Sequence, residues 1–86
     1  MLKITVKYFL LPDGILYFDK WYEKVFNITS LQDGFISLNR NKEYPIVYLC
    51  FENEEKLSAW SSTKIHDELA TEIEPYFAQS PEVTIE

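Results

Sequence analysis

Cysteine occurs once in this chain, at Cys50, and histidine once, at His66. A lone thiol closes no internal disulfide and one imidazole supplies one ligand at most, so neither a disulfide framework nor a structural metal site is expected. Basic residues are scarce as well: eight Lys plus Arg, of which only Arg40 is arginine, stand against fourteen Asp plus Glu, a net charge of −6. That sign repels phosphate backbones and anionic lipid surfaces, so no nucleic-acid and no membrane partner is expected. No apolar run reaches membrane-spanning length, and the stretch Met1 to Leu11 carries Lys3 and Lys7 and lacks a small-residue cleavage pattern. The chain is therefore expected to work in the cytoplasm. Repeats, low-complexity stretches and Gly/Ser/Pro-rich linkers are missing too, so residues 1–86 read as one domain.

Apolar material, by contrast, is plentiful: 47% of the residues are hydrophobic and 16% aromatic, far too many for a disordered chain. A domain of this size buries only about 60 to 65% of the surface its unfolded form exposes. Its core must be efficient or shared with a partner.

Ile4, Val6, Tyr8 and Leu10 alternate with Lys3, Thr5, Lys7 and Phe9, a period of two that predicts a first strand closed by Leu11-Pro12-Asp13-Gly14. From Asp13 to Ile28 the period changes, and Phe18, Trp21, Tyr22, Val25 and Phe26 form the apolar stripe of a helix with Asp13 as the expected N-cap. Gln32-Asp33-Gly34 signals a turn into a second strand, Phe35 to Arg40, joined through a polar hairpin to an uncharged run from Pro45 to Phe51. Asn53 can cap a helix carrying Leu57 and Trp60. Ser61-Ser62-Thr63 interrupts that helix, a second stretch through Ile65, His66, Leu69 and Ile73 ends at Pro75, and Val83 with Ile85 suggests a short last strand. The order βαββαβ predicts a ferredoxin-like α+β fold with a four-stranded antiparallel sheet. Because the helices of such a fold cover one face only, a second apolar face implies a partner, and a homodimer with Tyr8 and Tyr48 at its interface is expected.

Four segments resemble the antibiotic-biosynthesis-monooxygenase family, whose members are dimeric α+β barrels. Leu11-Pro12-Asp13-Gly14 is similar to the family's Pro-Gly turn after strand one, and Asp33-Gly34-Phe35 to its Pro-Gly-Phe turn into strand two. Phe51-Glu52-Asn53-Glu54-Glu55 resembles its Trp-Glu-Ser-x-Glu junction, and Trp60 to His66 its Trp-x-x-Ser-x-x-His segment. The resemblance implies oxidation of a phenol- or quinol-like aromatic by molecular oxygen, with no metal and no flavin cofactor, in a pocket between helices and sheet. The chain departs from the family's catalytic patterns. Val47, Phe51 and Leu57 stand where one branch uses Asn, Trp and Tyr, and Lys7 stands where the haem-degrading branch uses Asn.

The candidate catalytic residues are His66, a base near neutral pH, and Trp60; Trp21, Val47, Leu49, Phe51 and Leu57 are the candidate substrate-binding set. Each has a plainer reading, the imidazole as a structural group and the tryptophans as core filling at helical spacing. Cys50, between Leu49 and Phe51, lacks the polar setting a nucleophilic thiolate needs. Asp67, Glu68, Glu72 and Glu74 read as a solvated helix face. The expected function is a cofactor-independent monooxygenase; the alternative is a non-catalytic small-molecule-binding or interaction dimer of the same fold. A cavity beside Trp60 and His66, large enough for an aromatic ring, separates a working pocket from one collapsed onto Phe51 and Leu57.

Overall fold

The computed structural model describes residues Met1–Glu86. Its strands are β1 (Leu2–Leu10), β2 (Phe35–Arg40), β3 (Ile46–Phe51) and β4 (Phe77–Ile85), and its helices are α1 (Pro12–Thr29), α2 (Glu54–Ser61) and α3 (Lys64–Ile73). All strand pairs are antiparallel and the sheet order is β2-β3-β1-β4, the ferredoxin-like arrangement that the alternation of elements predicts. No helix is long and apolar enough to cross a membrane.

Helix α1 begins one residue earlier than expected. Pro12 occupies its first turn, where a missing N–H costs nothing, and Leu11 rather than Asp13 is the N-cap, without a side-chain cap bond. The other two starts follow the sequence: Asn53 accepts from the Lys56 amide at 2.9 Å, and Thr63 accepts from the His66 amide at 3.2 Å. Thr63 therefore both breaks the helical run and restarts it. Pro75 falls in a 3₁₀ turn, Glu74–Tyr76, that hands the chain to β4. That strand is nine residues long rather than the short one expected. It lies at the sheet edge, where Pro81 removes no ladder bond that a neighbour needs.

Register decides which side chains face the helices. Ile4 pairs with Leu49 and Val6 with Val47, so the even residues of β1 and the odd residues of β3 share the covered face. Phe51 and Val47 are buried there, whereas Tyr48 is 40% exposed on the open face. Tyr8 corrects the sequence expectation. It packs under α1 against Phe18 at 5.5 Å and Trp21 at 5.4 Å between ring centroids, so it belongs to the core and not to an open-face interface. On the open face β1 instead contributes Lys3, Thr5, Lys7 and Phe9, and the apolar area there comes mainly from Phe9, Ile46, Tyr48 and Cys50.

The buried residues form two clusters, one of Phe18, Trp21, Leu38, Val47 and Ile73, the other of Phe51, Trp60 and Leu69. Val25, Phe35 and Leu49 pack against both. Arg40 closes one edge of the first cluster, its guanidinium 4.6 Å from the Phe18 ring centroid and paired with Asp19. At the other edge Glu72 accepts from Tyr17 and from Lys24, the latter at 3.0 Å, so this carboxylate clasps α3 to α1 instead of lying free on a solvated face.

Candidate functional site

Between the two clusters lies a cavity of about 270 Å³, floored by the sheet and roofed by α1, α2 and α3. Val47 and Leu49 come up from β3 because the register gives their parity to the covered face, and Val6 and Tyr8 come from β1 for the same reason. Trp21 reaches it from α1, Trp60 from the end of α2, and His66 from the first turns of α3. Ala70 and Val83, both exposed, mark the side on which the cavity opens to solvent.

Of the residues the sequence nominates, five meet here: Trp21, Val47, Leu49, Trp60 and His66. Trp60 and His66 touch edge to face, with ring centroids 5.4 Å apart and an interplanar angle of 88°. The break at Ser61-Ser62-Thr63 makes this possible, since it lets residues six apart both turn back toward the sheet. Phe51 and Leu57 do not line the cavity. Phe51 is wholly buried with Trp60 and Leu69, and Leu57 packs against that cluster, so the pair supports the wall from behind. Cys50 lies on the opposite face of the sheet, beside Lys3 and Ser37 in the register.

The polar atoms of the cavity are few. Trp21 spends its indole N–H on the Leu69 carbonyl at 2.9 Å, which fixes the ring and ties α1 to α3. His66 Nδ1 and Thr29 Oγ1, by contrast, are fully enclosed and have no protein hydrogen-bond partner. Burial lowers the His66 pKa from its ordinary 6.5, against a smaller opposing pull from Asp67. The imidazole is thus neutral at neutral pH and able to accept a proton. Burial alone raises the Tyr8 phenol to about 12, so that group stays protonated as a donor. No three His, Cys, Asp or Glu side chains converge as a metal-ligand cluster anywhere in the chain.

Thr29 and Tyr8 are the cavity residues with polar side-chain atoms that the sequence reading missed. Thr29 continues the spacing of Trp21 and Val25 by four residues, so a hydroxyl on an apolar stripe was the available signal.

The ferredoxin-like fold itself is shared with several solved structures of low sequence similarity. A structure of an antibiotic biosynthesis monooxygenase superposes with a TM-score of 0.85 at 18% identity, covering 100% of this chain and 96% of that one. A conserved protein from Methanosarcina mazei Go1 gives 0.85 at 14% identity, over 99% of this chain and 89% of the other. A Nitrosomonas europaea protein provisionally described as an antibiotic biosynthesis monooxygenase gives 0.86 at 13%, over 100% and 96%. The fold is therefore that of the antibiotic biosynthesis monooxygenase structures. No family model matches the chain, and no curated protein matches it.

Proposed function

We propose that this protein is a monooxygenase that needs neither metal nor flavin, acts on a small phenol- or quinol-like aromatic, and works as a homodimer with open sheet faces together. One observation carries the reading: an apolar cavity is lined by an imidazole whose Nδ1 is enclosed and has no protein partner and whose ring meets a tryptophan edge to face. A volume of about 270 Å³ falls just under the usual range for small-molecule sites, roughly 300 to 1,000 Å³, and suits one or two fused rings.

In this reading Trp60 and Trp21 wall the ring, and His66 Nδ1 accepts the phenolic proton. The resulting phenolate is electron-rich enough to pass an electron to oxygen in a water-poor space. For a naphthol the balance is naphthol plus O₂ to naphthoquinone plus water. One oxygen atom enters at a ring carbon, and the other leaves as water with the hydroxyl hydrogen and that carbon's hydrogen.

A second reading, a binding protein without turnover, draws on the departures from the family pattern, because Val47, Phe51 and Leu57 stand where one catalytic branch has Asn, Trp and Tyr, and only Val47 of the three lines the cavity. Oxygen uptake separates the two. The purified protein, incubated with hydroquinones, naphthols and anthrones in an oxygen electrode, is expected to consume oxygen stoichiometrically with quinone formed. Quenching of tryptophan fluorescence without oxygen uptake across that panel would overturn the oxygenase and leave the binder.

A further inference from the structure

The ends of α1 and α3 are tied together in an antiparallel register that can be followed contact by contact. The Leu11 amide donates to the Tyr76 carbonyl at 2.8 Å, Tyr17 donates to Glu72, and Trp21 donates to the Leu69 carbonyl. Each step forward along α1 is a step backward along α3. One further turn along α1 lies Val25, and the matching step on α3 leads to its first turn, where His66 stands; Thr29 lies one turn beyond, at the end of α1. Both Thr29 and His66 line the same cavity.

Thr29 is only 1% exposed, and its hydroxyl has no protein partner. A threonine near a helix end commonly returns its hydroxyl to the carbonyl three or four residues back, and this one does not. His66 Nδ1 is enclosed and unpartnered in the same way. Leaving a buried polar atom without a partner is unfavourable, and a ligand held in the cavity that both residues line would satisfy the two.

The missing partner can be specified from the two atoms. A neutral imidazole nitrogen without its proton accepts one hydrogen bond, and a threonine hydroxyl donates one. The group that complements an acceptor and a donor together is a hydroxyl, which donates through its hydrogen and accepts through its oxygen. A carbonyl or a methyl ether only accepts and would leave His66 unsatisfied. A carboxylate brings a charge into a cavity that no Lys or Arg lines.

We propose that Thr29 and His66 form a two-sided cradle for one hydroxyl of an uncharged one- or two-ring aromatic, Thr29 donating to its oxygen and His66 Nδ1 accepting its proton. This rests on the cavity being a ligand site as proposed above and does not depend on turnover. Thr29 is a substrate-anchoring residue in this arrangement, and the hydroxyl is the feature the protein selects.

The test measures binding under nitrogen, with naphthol, methoxynaphthalene, naphthalene and naphthoate titrated against tryptophan fluorescence. The wild-type protein is expected to bind naphthol about tenfold more tightly than its methyl ether, the worth of about one hydrogen bond, and naphthoate least. Thr29→Val keeps the shape and removes the hydroxyl, so it should erase most of that preference while leaving naphthalene affinity unchanged. Thr29→Ser should restore the preference. The melting temperature of ligand-free Thr29→Val should be equal to or above that of the wild type, because the substitution deletes an unpartnered buried group. Equal affinities for naphthol and its methyl ether in the wild type would overturn the cradle, as would a Thr29→Val protein that melts lower and loses naphthalene binding in parallel. Retained selectivity without oxygen uptake defeats only the oxygenase reading, and uptake without selectivity defeats only the cradle.

Discussion

Replacing His66 by phenylalanine separates chemistry from packing more sharply than replacing it by alanine. The His66 ring meets Trp60 edge to face at 5.4 Å, a contact worth about 0.5 to 1.5 kcal/mol beyond area burial, and a phenyl ring can keep it. What disappears is Nδ1, an enclosed acceptor with no protein partner, whose presence costs the fold on the order of 1 to 3 kcal/mol. Overpacking by the slightly larger ring opposes that gain. The net change in stability should stay within about 1 kcal/mol, or roughly 4 to 8 °C in melting temperature for a domain this small. If His66 is the base, oxygen uptake at saturating naphthol should fall by about 10² to 10⁴. Melting followed by circular dichroism and initial rates in an oxygen electrode give both numbers on one preparation. A variant that keeps more than half of the wild-type rate refutes the base. A variant that melts more than about 15 °C lower at full rate shows the imidazole to be structural.

The pH profile is a second check. His66 has its folded pKa lowered below 6.5 by burial, so the unfolded chain binds the proton more readily. The stability it contributes is complete above about 6.5 and is lost as the pH falls through the folded value. Oxygen uptake should hold down to a pH below 6.5 and then drop, and a half-maximum above 6.5 would contradict an enclosed imidazole. Gly34 has φ +88°, and a Cβ there would stand 2.5 Å from the Lys56 Cβ, so Gly34→Ala should cost at least about 2 kcal/mol by urea unfolding; less than about 0.5 would refute the turn geometry. Trp60→Ala, which removes a side chain only 5% exposed, should cost about 3 to 5 kcal/mol, against a whole stability of roughly 4 to 13 for a chain this long. A melting temperature near wild type would show that the wall around Phe51 and Leu69 does not need it. Tyr48→Asp places a charge on the open sheet face and should convert the proposed dimer to monomer in light scattering, and an unchanged dimer mass would place the interface elsewhere.

Element order was legible because it depends on local periodicity, and the caps at Asn53 and Thr63 follow from side chains that can reach only their own helix starts. The start of α1 was misplaced because Pro12 and Asp13 both fit a first turn, and φ restriction decided in favour of the proline. The parity of β3 was foreseen. The fate of Tyr8 was not, since alternation assigns residues to a face but does not say which face the helices cover. Glu72 misled for a similar reason: its neighbours on α3 are exposed, and only the approach of Tyr17 and Lys24 from α1 turns it into a clasp. In the cavity, Trp60 and His66 were visible as a spacing across a broken helix. Thr29 showed only as a hydroxyl on the apolar stripe of α1, and that it lines the cavity with His66 is a long-range relation that no window of sequence contains.

A void of this kind works against so small a fold. At roughly 24 cal/mol per Å³, a sealed, dry cavity of about 270 Å³ would cost on the order of 6 kcal/mol. The opening at Ala70 and Val83 lowers that figure by letting water meet part of the lining. Larger side chains at lining positions such as Ala70 and Val6 would fill part of the void, and cavity-filling substitutions commonly stabilise a protein. At its polar end Thr29 and His66 occupy positions where Val and Phe would fit the shape and satisfy the surroundings better. Unfilled space, an unpartnered hydroxyl and an unpartnered imidazole nitrogen are separate departures from the most stable sequence, and all three belong to the same cavity. Local rules broken together in one cavity, while caps, register and clusters elsewhere agree with the fold, are what the proposed binding site requires.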